Sequence, residues 1–200
     1  MRKIIAIVTG LALSNVLFAT TFYKVTIPDI FEKSELVVYG EIEAGRILLD
    51  DCGVEYAVRV QESFKGGSSA GQLIWFQNSD STQIGGKYFL FLSKNGEEFT
   101  PLMSTNSGAM NLRARYVERC KNKWSRYKVN VFGNGALKST STYSEIVPRA
   151  VLIDDVVVIP PEGVKMTKFG PYDRYDNDRN HTALDADEFM TYMKVLSNSK

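Results

Sequence analysis

Residues 54–64 (VEYAVRVQESF) alternate with period two. Val54, Tyr56, Val58 and Val60 fall on one side, and Glu55, Arg59 and Gln61 on the other. Successive side chains of a strand point to opposite faces, so this run belongs in a sheet with one buried face and one wet face. Its surroundings continue the pattern. After a short linker, residues 35–43 (ELVVYGEIE) read as a strand in which Gly40 marks a bulge or a tight bend. Residues 65–71 (KGGSSAG) form a turn that delivers a third strand at 72–77 (QLIWFQ). A polar loop closed by Gly85 and Gly86 leads into 87–93 (KYFLFLS), which is apolar enough to be a central strand. Asn95-Gly96 suits a type I′ hairpin into a fifth strand at 98–103, with no helix between the five.

The second half stays β. In 111–121, Leu112, Ala114, Tyr116 and Cys120 share one face, and Arg113, Arg115, Arg119 and Lys121 share the other. Tyr127, Val129 and Val131 alternate with Arg126, Lys128 and Asn130, and Gly133-Asn134-Gly135 makes a turn. A further strand at 151–159 (VLIDDVVVI) is stopped by Pro160 and Pro161. Asp185 and Glu188 have the spacing of a capping box, and Phe189, Tyr192, Met193 and Leu196 fall on one helical face, so an amphipathic helix closes the chain.

The order of pieces in 34–93 is SELVVYGEI, a Cys-Gly before VEYAVRVQESFKGG, LIWF, then GGKYFLFLS. It resembles the oligonucleotide/oligosaccharide-binding (OB) barrel of the tissue-inhibitor-of-metalloproteinases-like superfamily, in the form seen in exported bacterial proteins of unknown role. The resemblance implies a mainly β fold: an OB-like five-stranded barrel over 20–105, with a β extension and a C-terminal helix over 106–200. Fold does not carry function with it. In the inhibitors of that superfamily an N-terminal cysteine chelates the protease zinc. Here no cysteine precedes Cys52, so inhibition by that route is not expected, although another inhibitory surface stays open.

Residues 1–19 read as a secretory signal peptide. Arg2 and Lys3 precede the apolar run 4–13, Ser14 and Asn15 break it, and the small Ala19 marks the cut. The apolar run is shorter than the roughly 20 residues that span a bilayer, so no membrane span is expected after cleavage. The expected location is secreted or periplasmic. Without Arg2 and Lys3, the 24 basic residues become 22 against 23 acidic ones, a near-neutral balance that argues against a nucleic-acid partner or any dedicated polyanion binder. In an oxidising compartment the two cysteines, Cys52 and Cys120, are most simply a disulfide, with free thiols as the alternative. Neither lies in a CxxC, so nothing suggests redox chemistry or zinc.

No motif marks a catalytic group, a cofactor or a metal. His181 is the single histidine; any Ser-His-Asp triad would need it, yet there is no GxSxG, and a solvated loop residue is the simpler reading. Asp176, Asp178, Asn180 and Asp187 are spaced like a calcium loop, but the sixth position is His181 instead of glycine and the last is Asp187 instead of glutamate. A charged, water-facing loop explains them.

Arg113, Arg115, Arg119, Lys121 and Lys123, with Tyr116, Trp124 and Tyr127 interleaved, form either a patch for an anionic surface such as glycan or simply the wet face of two strands. Phe64, Trp75, Phe76, Tyr88, Phe89 and Phe91 suit a barrel interior. Trp75 and Phe76 are adjacent, so one of them faces outward; if it is Trp75, that residue is a candidate contact. The expected function is an exported, non-enzymatic binding protein whose partner is an unknown protein or an envelope glycan. The alternatives are an inhibitor of an extracellular hydrolase and a hydrolase using carboxylates or His181.

Overall fold

In the computed structural model, residues 24–49, 52–78, 82–94, 120, 122–129, 135–140, 149–154, 157–169 and 181–199 are described. The expected signal peptide, the Asn95-Gly96 hairpin with its strand at 98–103, the 111–119 run and the 170–180 loop lie outside these residues.

The alternating segments form the strands their period demands. Strands β2 (Leu36–Ile47) and β3 (Val54–Lys65) make a long antiparallel hairpin, and β4 (Leu73–Gln77) continues the meander on β3. Strand β5 (Lys87–Lys94) pairs antiparallel with β2, and β6 (Tyr127–Val129) closes the ring by pairing parallel with β4 and antiparallel with β5. The five strands β5-β2-β3-β4-β6 are therefore a closed OB-like barrel. Its closing strand comes from beyond residue 105.

Inside lie Leu36, Val38, Ile42, Val58, Val60, Ile74, Phe76, Leu90, Leu92 and Val129. Where β2 meets β3 the register shifts three times, which bends the hairpin into the barrel. One shift lies at Gly40, where a Cβ would stand 2.2 Å from the Arg59 carbonyl oxygen, so the close approach of the two backbones requires glycine.

Strand β5 explains its own composition. One edge pairs with β2; along the other, Lys87–Leu90 pair with the extension and Leu92–Lys94 with β6. Tyr88, Leu90 and Leu92 fill the barrel, while Phe89 and Phe91 face a second core outside it. With both faces covered, the whole run from Tyr88 to Leu92 is buried.

The extension adds β7 (Ala136–Thr140), β8 (Ala150–Asp154), β11 (His181–Asp185) and β10 (Met166–Phe169), in that order outward from β5. Strands β1 (Val25–Thr26) and β9 (Val158–Ile159) form a separate parallel pair.

Two helices cover the outer core. Helix α2 (Ala186–Asn198) buries Phe189 and Met193, with Tyr192 and Leu196 packed beside them, and Phe189 meets Phe89 edge-on at 4.8 Å. Asp185 caps α2 by accepting the Asp187 and Glu188 N–H groups at 3.0 Å. Glu188 does not complete the capping box; its carboxylate accepts the Lys165 N–H.

The short linker expected before β2 contains helix α1 (Ile27–Lys33), which buries Ile27, Ile30 and Phe31. Its capping box is Thr26 and Asp29, with Pro28 in the first turn. At its other end Lys65 donates from Nζ to the Phe31 and Glu32 carbonyls at 2.9 and 2.8 Å.

Candidate functional site

The outer barrel face is polar where β2 and β3 run into their connecting loop. Register sets Arg46 of β2 beside Glu55 of β3, Glu55 beside Gln77 of β4, and Gln77 beside Lys128 of β6. Two residue pairs further along, on the same face, Ala57 lies beside Trp75. Phe76 is fully buried in the barrel, so Trp75 is the outward-facing aromatic, half-buried on this face. Arg46 reaches across to it, and its guanidinium carbon stands 4.3 Å from the centre of the indole.

Glu55 departs from the alternation. The period puts it on the wet face, and it does point outward, yet its side chain is only 3% exposed. Two groups cover it: Arg46 donates from Nε to one carboxylate oxygen, and Ser125 donates its hydroxyl to the other. A carboxylate out of water needs such charge-assisted partners. Ser125 lies 70 residues away in sequence, so the cover is tertiary.

The segment carrying Ser125 is tied down nearby. Cys52 and Cys120 form a disulfide with a Cα–Cα distance of 5.4 Å, both buried, with Leu48 and Trp124 packed against them. The Cys52 carbonyl accepts from the Trp124 indole N–H at 3.3 Å and from the Gln77 amide at 3.2 Å. The disulfide and the indole join the β2–β3 loop to the β5–β6 connection at Cys120 and Trp124, the Ser125 hydroxyl joins that connection to β3, and the Gln77 amide joins the loop to β4. Beside this clamp Ile47 and Leu49 stand 80% and 79% exposed.

Two arginines on this face are used differently. Arg59 is fully engaged: Nε and Nη2 grip both Glu43 oxygens at 2.8 and 2.7 Å, and Nη1 donates to the Gly71 carbonyl at 2.9 Å. Those bonds hold the Glu43 carboxyl below its ordinary value. Among the described residues Arg46 bonds through Nε alone, to Glu55, and its side chain is 62% exposed. Burial lowers the Lys128 ammonium below the usual lysine range.

Of the residues singled out from sequence, Cys52 and Cys120 are brought together here, and Lys123 lies half-buried one turn from the clamp. Arg113, Arg115, Arg119 and Lys121 lie outside the described residues. His181 belongs to strand β11 and not to a loop, its backbone paired with Asp154 and Phe169. That assignment follows from β11 bridging β8 and β10, a pairing that no local pattern announces.

Asp187 sits in the first turn of α2, paired with Arg149 at 2.8 Å. Asp176, Asp178 and Asn180 lie outside the described residues. Among the described residues no group of three or more His, Cys, Asp or Glu side chains is placed to hold a metal. A concavity of about 420 Å³ lies between the 162–164 turn and α2. Of its carboxylates, Asp187 and Glu188 hold Arg149 and the Lys165 N–H.

Arg46 and Glu55 were not candidates from sequence. Their cross-strand positions, nine residues apart around a loop, were the only local sign. In OB barrels the face of the second and third strands and the loops joining strands one to two and four to five hold ligands. Here those parts are β3, β4, the β2–β3 loop and the β5–β6 connection, the same parts that meet at Arg46, Trp75 and the disulfide. The chain is thus an OB-like barrel protein with a clamped polar rim. No family model, curated protein or solved structure matches it.

Proposed function

We propose that this chain is an exported, non-enzymatic binding protein that meets its partner at the rim formed by Arg46, Trp75 and the β2–β3 loop. The carrying observation is the Arg46 side chain, laid on Trp75 and tethered to a buried carboxylate while largely open to solvent. Holding a long, flexible side chain in one pose before the ligand arrives reduces the entropy lost on binding. Glu55 is committed to Arg46 and Ser125, which suits a positioning role better than that of a free catalytic base.

Export is supported by the leader-like residues 1–19 and by the disulfide, a bond kept in oxidising compartments. No helix among the described residues is long and apolar enough to cross a membrane. The OB-like strand order supports the kinship with the tissue-inhibitor-of-metalloproteinases-like barrels as part of the same proposal.

The test is binding of the purified chain to fractionated envelope components of its source cell, compared with Trp75→Ala. Binding that falls at least tenfold in the variant is expected. Equal binding by both proteins would reject the rim as the contact surface.

One observation favours a second reading, inhibition of an extracellular hydrolase: Ile47 at the end of β2 and Leu49 just after it are exposed where the chain enters a loop whose far end is fixed by Cys52. A rigid, exposed apolar loop is what a protease cleft accepts at low entropic cost. Ile47→Asp with Leu49→Asp would abolish such inhibition, and failure to inhibit any hydrolase of the source organism would remove this reading.

A further inference from the structure

We infer that the outer edge of β2 between Glu43 and Ile47 is a docking strip for an extended segment of a partner polypeptide, which adds there as a further strand. The inference rests on the binding reading above and names the chemistry of the partner at the same hairpin. Strand β5 covers β2 only as far as Glu41, and the turn before β5 bonds Ile42 through Gly85 and Gly86. Beyond that point β2 has β3 on one side alone. The Leu48 N–H bonds the Gly53 carbonyl across the hairpin, so by alternation Ala44 and Arg46 turn their backbone groups to β3, while Gly45 and Ile47 turn theirs outward. Among the described residues nothing bonds those outward groups, and both residues are exposed. Natural edges are commonly guarded by a charged side chain. Arg46 is the only charged residue of 44–47, and it is drawn inward across the sheet, to Glu55 on β3 and over Trp75 on β4, which leaves the edge bare.

The edge selects its own ligand. Its donors and acceptors repeat every second residue, about 6.8 Å, and the chemical group with that repeat is another extended backbone. Side chains narrow the choice. Ile47 points to the face opposite Arg46, the face that continues the barrel interior. Its neighbour Val54 is half-buried there, and so is Tyr56, which packs on Phe76 at 6.1 Å. A Cβ on Gly45 would stand 3.1 Å from the Tyr56 ring, so that ring lies over the glycine. A segment with apolar residues two apart would set one beside Ile47 and the other beside Gly45, against the Tyr56 ring. A second copy of this chain fits worse. Pairing two such edges about Gly45 would set Ile47 against Glu43, whose carboxylate is held by Arg59, and pairing them about Ile47 would run past the end of β2.

The experiment selects short random peptides displayed on phage against the full mature chain and measures the selected peptides by isothermal titration. Each is also made with N-methyl groups on every second residue, in both phases. A strand on a sheet edge turns the N–H groups of one phase to β2 and those of the other to solvent, so one phase is expected to lose at least tenfold in affinity and the other to bind like the parent. The protein variant is Ile47→Pro, which removes an outward N–H and no bond to β3. Ile47→Lys is a second variant that keeps the backbone donor and puts a charge on the apolar face. Both are expected to lose at least tenfold. Equal loss in the two methylated phases, no loss in either, unchanged affinity in either variant, or no selected peptide each overturns the inference. So does a wild-type dimer that Ile47→Pro disperses, which would assign the edge to a second copy. Binding of envelope components that depends on Trp75 but survives Ile47→Pro would reject the edge and still uphold the broader reading.

Discussion

Replacing Cys52 and Cys120 together by alanine tests whether the clamp stabilises the chain or only orders its rim. The disulfide closes a loop with a sequence separation of 68 residues. Loop-closure entropy for that length, removed from the unfolded chain by the cross-link, corresponds to about 4 kcal/mol at room temperature. The remaining ties from the β5–β6 connection survive the change: Trp124 on the Cys52 carbonyl and Ser125 on Glu55. Neutral hydrogen bonds of this kind contribute about 1 kcal/mol each, and one to a charged group somewhat more. The native state of the variant should therefore keep the β5–β6 connection docked, while unfolding becomes easier by about 4 kcal/mol.

The assay is guanidinium chloride unfolding followed both by tryptophan fluorescence and by far-ultraviolet circular dichroism. The chain has two tryptophans, Trp75 at the rim and Trp124 within the clamp, so fluorescence reports the site directly. The variant should show an unchanged native emission spectrum, a lower midpoint and a steeper denaturant slope, because its unfolded chain is free to expand. A loss below about 1 kcal/mol would refute the entropic argument. A red-shifted native spectrum in the variant would refute the claim that the hydrogen bonds suffice to hold the connection in place.

Phe189→Ala removes a fully buried ring that joins α2 to Phe89 and should cost about 3–5 kcal/mol, read from the same unfolding curves. Gly40→Ala places a Cβ against the Arg59 carbonyl, a backbone atom that cannot swing away, so the soluble folded fraction on expression should collapse. The α1 capping box gives an acid dependence. Its hydrogen bonds from Thr26 hold the Asp29 carboxyl below the ordinary aspartate value, so this contribution is complete above about pH 4 and is lost as pH falls through the lowered value. Thermal unfolding between pH 2 and 6 should fall less steeply for Asp29→Asn than for the wild type, and identical slopes would count against the cap.

What the sequence determined by itself was local. Period two in 54–64, the doubly apolar 87–93 run, the helical stripe of Phe189, Tyr192, Met193 and Leu196, and the pairing of the only two cysteines each follow from spacing and composition, and each appears in the structure. Helix α1 was missed as a short linker, although Thr26 and Asp29 with Pro28 between them spell a helix start. The rim was decided elsewhere. Glu55 reads as a solvent-facing residue from its strand alone, and it is buried only because Ser125, 70 positions later, is brought over it by the disulfide and by the closure of β6 onto β4. Trp75 and Phe76 exchange roles under any one-residue slip of register, so only the pairing of Ala57 with Trp75 and of Tyr56 with Phe76 settles which ring faces out. Strand pairing across long sequence separations carries no local signature, and this site is completed by one such pairing, β6 on β4, added to the β2–β3–β4 meander.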